Sequence, residues 1–247
     1  MYKYHNNMKK LLDISLLSSL ILVLFSCDPV EPEYRYEHYF DDIYTVNKHT
    51  VSPEFSDSVI RISNMDKYPY GTGDRVHMTL RYYFDISTMK MPLWEISHVT
   101  RKIETLPLTA PAGIDSVEYD AVFNKLHNYE LADRYVNPIW IWKNCQNINI
   151  SYFGVEEGAS FVMAVRGING DCLELDLYAK AKSNNEHTTT TLLAFDLSKA
   201  GDFLSEEQKN SIADIDSLRT RIYFNRKVDG EVKRVDIIGG KFANPVK

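Results

Sequence analysis

Val76-His-Met-Thr-Leu-Arg-Tyr-Tyr-Phe-Asp85 is the stretch of sequence that indicates the fold class most clearly. Apolar or aromatic side chains stand at 76, 78, 80, 82 and 84, and the residues between them would line the opposite face. Such period-2 alternation is typical of a strand with one face buried. Gly71-Thr-Gly73-Asp74 directly before it predicts a turn.

Similar segments recur after this strand, about every 8–14 residues. Pro107 restricts one of them to an edge or to a strand end, because proline cannot donate to a ladder of hydrogen bonds. Asp229-Gly230 predicts a hairpin turn between the last two. Short strands at this spacing favour a sandwich or a barrel. The predicted strands are Trp94–Ile103, Thr105–Leu108, Pro138–Lys143, Asn147–Phe153, Phe161–Val165, Cys172–Tyr178, Thr188–Leu197, Leu218–Asn225 and Val232–Ile238.

Two segments differ from this pattern. Ala121–Arg134 has no clean period, so we place a domain boundary or a long connection there. Ser205-Glu-Glu-Gln208 has the spacing of a capping box, in which Ser205 accepts from the backbone of Gln208 and the Gln208 side chain reaches back. It predicts one short helix running to about Ala213.

The N-terminus has the features of an export signal. Lys9-Lys10 precedes the apolar run Ile14–Phe25, which is too short for an ordinary transmembrane helix. Leu24-Phe-Ser-Cys27 then has the form of a lipobox, with a small residue before the cysteine whose thiol accepts the lipid. We therefore predict a signal peptide over residues 1–26, starting at Met1 or Met8, and lipidation (palmitate among the acyl chains) of Cys27. An ordinary secretory signal with a chance cysteine, or an uncleaved anchor, is the alternative.

Residues 27–37 are predicted to be the acylated cysteine and an acidic tether. Asp28-Pro-Val-Glu-Pro-Glu33 combines three carboxylates with two prolines, which keep a segment solvated and extended. Acidic residues after a lipidated cysteine resemble the surface-export signals of Bacteroidota lipoproteins. A plain spacer that leaves the protein facing the periplasm is the alternative. The predicted location is the cell envelope, where the protein would be an outer-membrane lipoprotein. Exposure on the cell surface and orientation toward the periplasm are the two alternatives.

Charge and cysteine content limit the partners. The first 26 residues carry a net charge of +2 and the whole chain −6, which leaves −8 for residues 27–247. An acidic body argues against a nucleic-acid partner, since phosphate binding needs clustered Lys and Arg. Cys145 and Cys172 form a candidate disulfide in an oxidising compartment, with two buried free thiols as the alternative.

No catalytic motif is recognisable in the sequence. There is no G-x-S-x-G, no glycine-rich phosphate loop and no H-E-x-x-H, and the seven histidines are dispersed, so we expect no catalytic residues, no metal site and no cofactor. His77 and His98 are interpreted as structural or exposed. Glu156-Glu157 is interpreted as a solvated turn rather than an acid–base pair, and Trp140 and Trp142 as core residues.

The residues quoted above resemble the NigD-like proteins of Bacteroidota. The resemblance rests on the lipoprotein signal, Gly73-Asp-Arg-Val76 at the start of the alternating strand, Asn137-Pro-Ile-Trp-Ile-Trp-Lys-Asn-Cys-Gln-Asn-Ile-Asn-Ile-Ser-Tyr152, Leu193-Ala-Phe-Asp-Leu-Ser198 and Leu218-Arg-Thr-Arg-Ile-Tyr-Phe224. It implies an all-β chain, with an N-terminal OB-like barrel over 38–134 followed by a C-terminal β-sandwich over 135–247 with one short helix. It carries over no catalytic residues.

Three functions follow as hypotheses. The first is a non-enzymatic, membrane-anchored binding or interaction module whose partner is a protein or a glycan. The second, implied by the resemblance, is a bacteriocin-immunity role. The third is a hydrolase whose site assembles over long range.

Overall fold

The structure, a computed structural model, describes residues 34–85, 93–115, 118–132, 134–182 and 187–247. Its residues fall into two compact groups. One comprises 1–38 and 82–93, of which only short parts are described, and the other comprises 39–81 and 94–247. All contacts discussed below lie within the second group. The predicted signal peptide, Cys27 and the acidic segment 28–33 lie outside the described residues.

Strands dominate the chain. Residues Tyr34–Glu37, assigned above to the tether, are the first residues of β1. The strands are β1 Tyr34–Asn47, β2 Thr50–Pro53, β3 Ile60–Arg61, β4 Arg75–Asp85, β5 Leu93–Ile103, β6 Thr105–Leu106, β7 Leu108–Thr109, β8 Phe123–Leu126, β9 Tyr129–Leu131, β10 Arg134–Val136, β11 Ile139–Trp142, β12 Cys145–Phe153, β13 Ser160–Asn169, β14 Cys172–Lys180, β15 Thr188–Asp196, β16 Ser217–Val228 and β17 Glu231–Ala243.

The first sheet has five strands in the order β3-β2-β1-β4-β5. Lys48, with φ of 53°, makes the tight turn that joins β1 to β2, and the hairpin register pairs Tyr44 with Pro53. On the predicted inward face of β4, Val76, Met78 and Leu80 are fully inaccessible and Tyr82 and Phe84 are partly buried. β9 and β10 form a separate two-stranded sheet.

The second sheet has ten strands and is a nearly closed barrel. Its path runs β6-β15-β12-β8-β16-β14-β13-β7, with β11 on β12 and β17 on β16. The two ends of this path, β6 and β7, are neighbours in the chain and are separated only by Pro107. The segment Thr105–Thr109 therefore closes the barrel, pairing with β15 through β6 and with β13 through β7.

Buried side chains form three clusters. One fills the barrel, around Ile150, Leu175 and Phe195, and a second lies against the first sheet, around Met78. The third includes Ile43 of β1, Trp140 of β11 and Leu192 of β15. Because successive residues of a strand point to opposite faces, Leu192 enters this third cluster while Leu193 enters the barrel core.

The predicted fold class, all-β with one short helix, is confirmed. The helix, α1 (Glu206–Ser211), begins with Ser205 as its N-cap, and both hydrogen bonds of the capping box are present. Strands at 105–126, assigned from sequence to the N-terminal domain, pair within the barrel sheet, and the division at residue 134 stays a prediction. Among the described residues, no helix is long and apolar enough to cross a membrane.

Candidate functional site

A cavity of about 320 Å³ opens beside the β1–β2 hairpin. We call it the aromatic cavity. β1 and β2 bring one wall to it, and the backbone N–H of Glu54 donates to Ile43 O at 2.7 Å, extending the hairpin pairing beyond Pro53. This extension places Phe55 beside Asp42 of the neighbouring strand. The cavity is lined by Phe40, Asp41, Asp42, Tyr44, Pro53, Phe55, Ser56, Ser58, Ile60, Trp94 and Arg134.

One side of the aromatic cavity presents ring faces. The rings of Phe40 and Trp94 are tilted against each other with centroids 5.1 Å apart, and Phe40 is 38% exposed. Phe55 is held from behind by Trp140 and Trp142, each 6.3 Å away. The guanidinium of Arg134 lies over the Phe55 ring, 4.6 Å from its centroid. Rings packed in this way give a rigid apolar wall.

The other side of the aromatic cavity is polar. Arg134 Nη2 donates to Asp42 Oδ2 at 2.5 Å, and Asp42 Oδ1 accepts from the backbone of Ile43 at 2.7 Å. Burial raises the pKa of Asp42 to about 6, although the positive charge and the hydrogen bond of Arg134 lower this pKa. Ser56 and Ser58, whose hydroxyls are 2.9 Å apart, add hydroxyl groups at the rim. A carboxyl, a guanidinium and two hydroxyls thus face the rings.

A buried ion pair lies behind the aromatic wall. Arg75 Nη2 donates to Glu54 Oε1 at 2.6 Å, and the two side chains are 6% and 1% exposed. The same Arg75 nitrogen donates to Asn147 Oδ1 at 2.8 Å, while Trp140 Nε1 and Asn147 Nδ2 each donate to Glu54 Oε1 at 3.2 Å. This network joins β4 and the residue after β2 to β11 and β12, so it ties the first sheet to the barrel.

Asp41 points away from Asp42, because neighbouring residues of a strand alternate. Its Oδ1 accepts from Thr79 at 2.9 Å, and its Oδ2 lies 3.1 Å from His77 Nε2. His77 Nδ1 lies 2.7 Å from the hydroxyl of Tyr129. Both ring nitrogens of His77 have a hydrogen-bond partner when Nε2–H donates to Asp41 and the Tyr129 hydroxyl donates to Nδ1. Burial raises the pKa of Tyr129, so this hydroxyl stays a proton donor.

The histidines and acidic pair examined in the sequence lie apart from the aromatic wall. His77 is 6% exposed and fully hydrogen-bonded, in agreement with its interpretation as a structural residue. His98 is exposed on β5, and Glu156-Glu157 are exposed in the turn after β12. Trp140 is buried in the third cluster and Trp142 is partly buried against it. Within the described ranges, no group of three or more His, Cys, Asp or Glu could hold a metal ion.

Cys145 and Cys172 are free thiols in this structure. Cys145 starts β12 and Cys172 starts β14, and these strands are separated by β8 and β16 in the sheet order. The candidate disulfide is therefore not formed here. Burial raises the pKa of both thiols, which disfavours the reactive thiolate.

The residues that line the aromatic cavity were not identified from the sequence. Asp42 and Arg134 stand 92 positions apart, so no local motif marks the pair. The sequence has 16 tyrosines and 11 phenylalanines, but strand residues are often aromatic, so composition does not distinguish a cavity wall from a core. Chemically, the cavity can hold a small ligand that has an apolar face and polar groups at its edge.

The comparisons with known proteins concern the fold. No family model and no curated protein matches the sequence. Solved structures do match, among them a protein described as toxin-related from Parabacteroides distasonis, with 11% identity, 81% of this chain and 93% of that chain covered, and a TM-score of 0.52. A protein described as a lipoprotein from Bacteroides fragilis is 11% identical over 83% of this chain and 98% of its own, with a TM-score of 0.51. A NigD-like immunity protein from Bacteroides caccae is 12% identical over 81% and 91%, with a TM-score of 0.47.

The two matches with TM-scores above 0.5 define a class of all-β proteins from Parabacteroides and Bacteroides, and the chain has the fold of this class. The matches with TM-scores above 0.5 confirm, at the level of the fold, the relationship that the sequence resemblance predicted. At 11–12% identity they say nothing about ligand or activity.

Proposed function

We propose that this protein is a non-enzymatic, membrane-anchored lipoprotein of the cell envelope that binds a carbohydrate in the aromatic cavity. The observation that carries the proposal is the pairing of an aromatic wall with the Asp42–Arg134 pair across one cavity of about 320 Å³. Pockets of ligand-binding size begin at about 300 Å³.

A sugar ring matches both walls of this cavity. Its C–H face is apolar and stacks on aromatic rings such as those of Phe40 and Trp94. Its vicinal hydroxyls can donate to the Asp42 carboxylate and accept from the Arg134 guanidinium, which lie side by side at 2.5 Å. The serine hydroxyls at 56 and 58 offer further partners at the rim.

The envelope location rests on the sequence of the N-terminus. Acyl chains on Cys27 would supply the membrane anchor, because two or more chains on one residue give stable attachment. The fold shared with a Bacteroides fragilis protein described as a lipoprotein is compatible with this assignment. Cys27→Ala tests it directly: the variant is expected in the soluble fraction and lacking acyl label, and a variant that stays acylated or membrane-bound would contradict the anchor.

Binding is tested with the mature chain on an array of neutral and acidic oligosaccharides. We expect bound glycans to lose at least tenfold in affinity with Trp94→Ala and with Asp42→Asn. Trp142→Phe is the matched control, because Trp142 contacts the back of Phe55 and does not line the cavity. Glycan binding that is insensitive to Trp94 and Asp42, or no binding on the array, would refute the carbohydrate assignment.

Immunity against a bacteriocin and a cryptic hydrolase activity stay predictions from the sequence. Unchanged bacteriocin sensitivity after gene deletion would remove the first. Absence of turnover of glycans that bind the aromatic cavity would count against the second.

A further inference from the structure

A second cavity, of about 390 Å³, lies where the first sheet meets the outer face of the barrel. We call it the polar cavity. From the first sheet, His77 of β4 and Arg101 of β5 border it. From the barrel, Asn149 of β12 and Thr190 of β15 border it, as does His127 in the connection from β8 to β9. Its volume lies in the range of pockets that bind small molecules.

Arg101 brings a positive charge to the polar cavity without a counter-ion. Other arginines, such as Arg134 and Arg234, contact a carboxylate. Among the described residues, no carboxylate lies within 4.0 Å of Arg101, which is partly buried. Glu130 also borders the cavity, but it follows the buried Tyr129 in β9, and alternation directs its side chain to the opposite, exposed face. A guanidinium in this state can bind a carboxylate through two parallel hydrogen bonds.

Tyr129 holds the guanidinium of Arg101 at the polar cavity. The Arg101 Cζ atom lies over the Tyr129 ring, 5.3 Å from its centroid. Arg101 also borders a cavity beside the closing segment Thr105–Thr109, but Tyr129 lines the polar cavity and not that one. The Tyr129 hydroxyl donates to His77 Nδ1 at 2.7 Å, so only its lone pairs are left for Arg101. Because a guanidinium has five N–H donors, those not directed at Tyr129 stay available to a ligand.

Two uncharged acceptors belong to other walls of the polar cavity. Asn149 is 5% exposed, and its Nδ2 donates to the backbone oxygens of His127 and Asn128, each at 3.1 Å. Both amide hydrogens are thereby used, and Asn149 Oδ1, which accepts from no described residue, is left for a ligand. His127 Nε2 lies 3.0 Å from Ser151 Oγ, which donates to Lys125 O at 3.2 Å, so Nε2 carries the hydrogen and Nδ1 is an acceptor in the neutral ring. Burial lowers the pKa of His127, which favours that neutral ring.

We propose that the polar cavity binds a small hydroxylated carboxylic acid. Arg101 binds the carboxylate of this ligand, and Asn149 Oδ1 and His127 Nδ1 accept hydrogen bonds from its hydroxyl groups. A neutral sugar lacks the group that Arg101 selects, and a simple carboxylate lacks the hydroxyl donors. An acidic sugar residue and a free hydroxy acid share this chemistry and are the two sources of such a ligand. The proposal does not depend on what the aromatic cavity binds.

The test is a calorimetric titration of the mature protein with D-glucuronate, D-galacturonate and D-gluconate as probes. D-glucose and acetate are the matched controls, because each lacks one of the two required groups. We expect at least one probe to bind, and both controls to bind at least tenfold more weakly than that probe. Tighter binding of a uronate supports the proposal with an acidic sugar as the ligand, and tighter binding of gluconate supports it with a free hydroxy acid.

Variants on two walls locate the bound probe. Arg101→Gln should weaken its binding at least tenfold, because the charged, two-pronged hydrogen bond is lost. Lys102→Gln is the matched control, since it removes the same charge from the next residue, which pairs with Asp74 at 2.8 Å. Thr190→Trp fills the polar cavity from β15, and its control Thr188→Trp adds the same bulk at an exposed position of the same strand outside the cavity. With two walls tested, a folding defect in one variant does not decide the result.

Trp94→Ala, in the aromatic cavity, separates this proposal from the carbohydrate assignment. It is expected to leave binding of the probe unchanged. If Trp94→Ala abolishes binding and Arg101→Gln does not, the probe occupies the aromatic cavity and the proposal is wrong. Absence of binding by all three probes, acetate binding as tight as theirs, or equal effects of Thr190→Trp and Thr188→Trp would also overturn it.

Discussion

Replacing Arg75 with methionine tests how the buried ion pair connects the two sheets. The substitution keeps most of the side-chain volume but leaves the Glu54 carboxylate, 1% exposed, with only the neutral donors Trp140 Nε1 and Asn147 Nδ2 at 3.2 Å. Breaking a buried pair by removing one partner costs about 3–5 kcal/mol, because the remaining charge is uncompensated. For a chain of this size, that corresponds to a fall in Tm of about 6–20 °C.

The double variant Glu54→Leu, Arg75→Met separates the cost of an orphaned charge from the loss of the contact. Removing both charges leaves the Trp140 indole N–H without its acceptor, at about 1–3 kcal/mol, whereas Asn147 Nδ2 keeps the carbonyl oxygen of Cys145 at 3.3 Å. Asn147 Oδ1 loses its Arg75 donor in both variants, so that loss does not separate them. We therefore expect the double variant to be more stable than Arg75→Met by about 2 kcal/mol.

Urea unfolding followed by tryptophan fluorescence measures these differences. Arg219→Met is the matched control, since its partner Asp171 is 4.0 Å away and both side chains are about half exposed. An exposed pair of this kind contributes under about 1 kcal/mol. The reasoning fails if Arg75→Met is no more destabilising than Arg219→Met, or if the double variant is less stable than Arg75→Met alone.

Three further predictions follow from the packing and from the pKa of Asp42. Because the pKa of Asp42 is raised from 3.8 to about 6, its protonated form stabilises the fold, and that stability is lost as pH rises from about 4 to 6. The loss is at most about 3 kcal/mol. In urea unfolding at pH 4.5 and 7, the unfolding free energy of Asp42→Asn should change less with pH than that of the parent protein. Equal changes in the two proteins would contradict this prediction. Gly239→Ala would place a Cβ 2.2 Å from Thr220 Oγ1 and should lower the unfolding free energy by about 1–3 kcal/mol. In the neighbouring Gly240→Ala the nearest atom to the new Cβ is 3.5 Å away, so this variant should be tolerated. Thermal melts compare the two variants, and equal melting temperatures would contradict the prediction. Ser205→Ala removes the cap of α1 and should lower the unfolding free energy by about 1 kcal/mol, and an unchanged value in urea unfolding would show that the cap contributes nothing.

The strands and the helix could be predicted because their signals are local. Alternation marked β4, the capping box marked α1, and Asp229-Gly230 marked a hairpin whose two turn residues both have positive φ. Pro107 was expected at a strand end, and it separates β6 from β7. Each of these features is set by residues within a few positions of one another.

The sites could not be predicted because they are assembled from distant positions. Glu54 and Asn147 are 93 positions apart. In the sequence, Arg75 stands at the start of the alternating strand, at a position where a solvent-exposed side chain would fit the pattern equally well. Burial of such a charge depends on which strand packs over it, and that information is absent from local periodicity. Closure of the barrel likewise depends on which edges the segment around Pro107 pairs with, which no sequence pattern specifies.

The closing segment has a consequence for how this protein can be divided. A gene fragment encoding residues 135–247 would lack β6, β7 and β8, which supply the closure and one internal strand of the barrel. Without these strands the barrel sheet would be open at two places, between β15 and β13 and between β12 and β16. Swapping of parts among relatives is expected to preserve residues 105–126 together with the C-terminal strands.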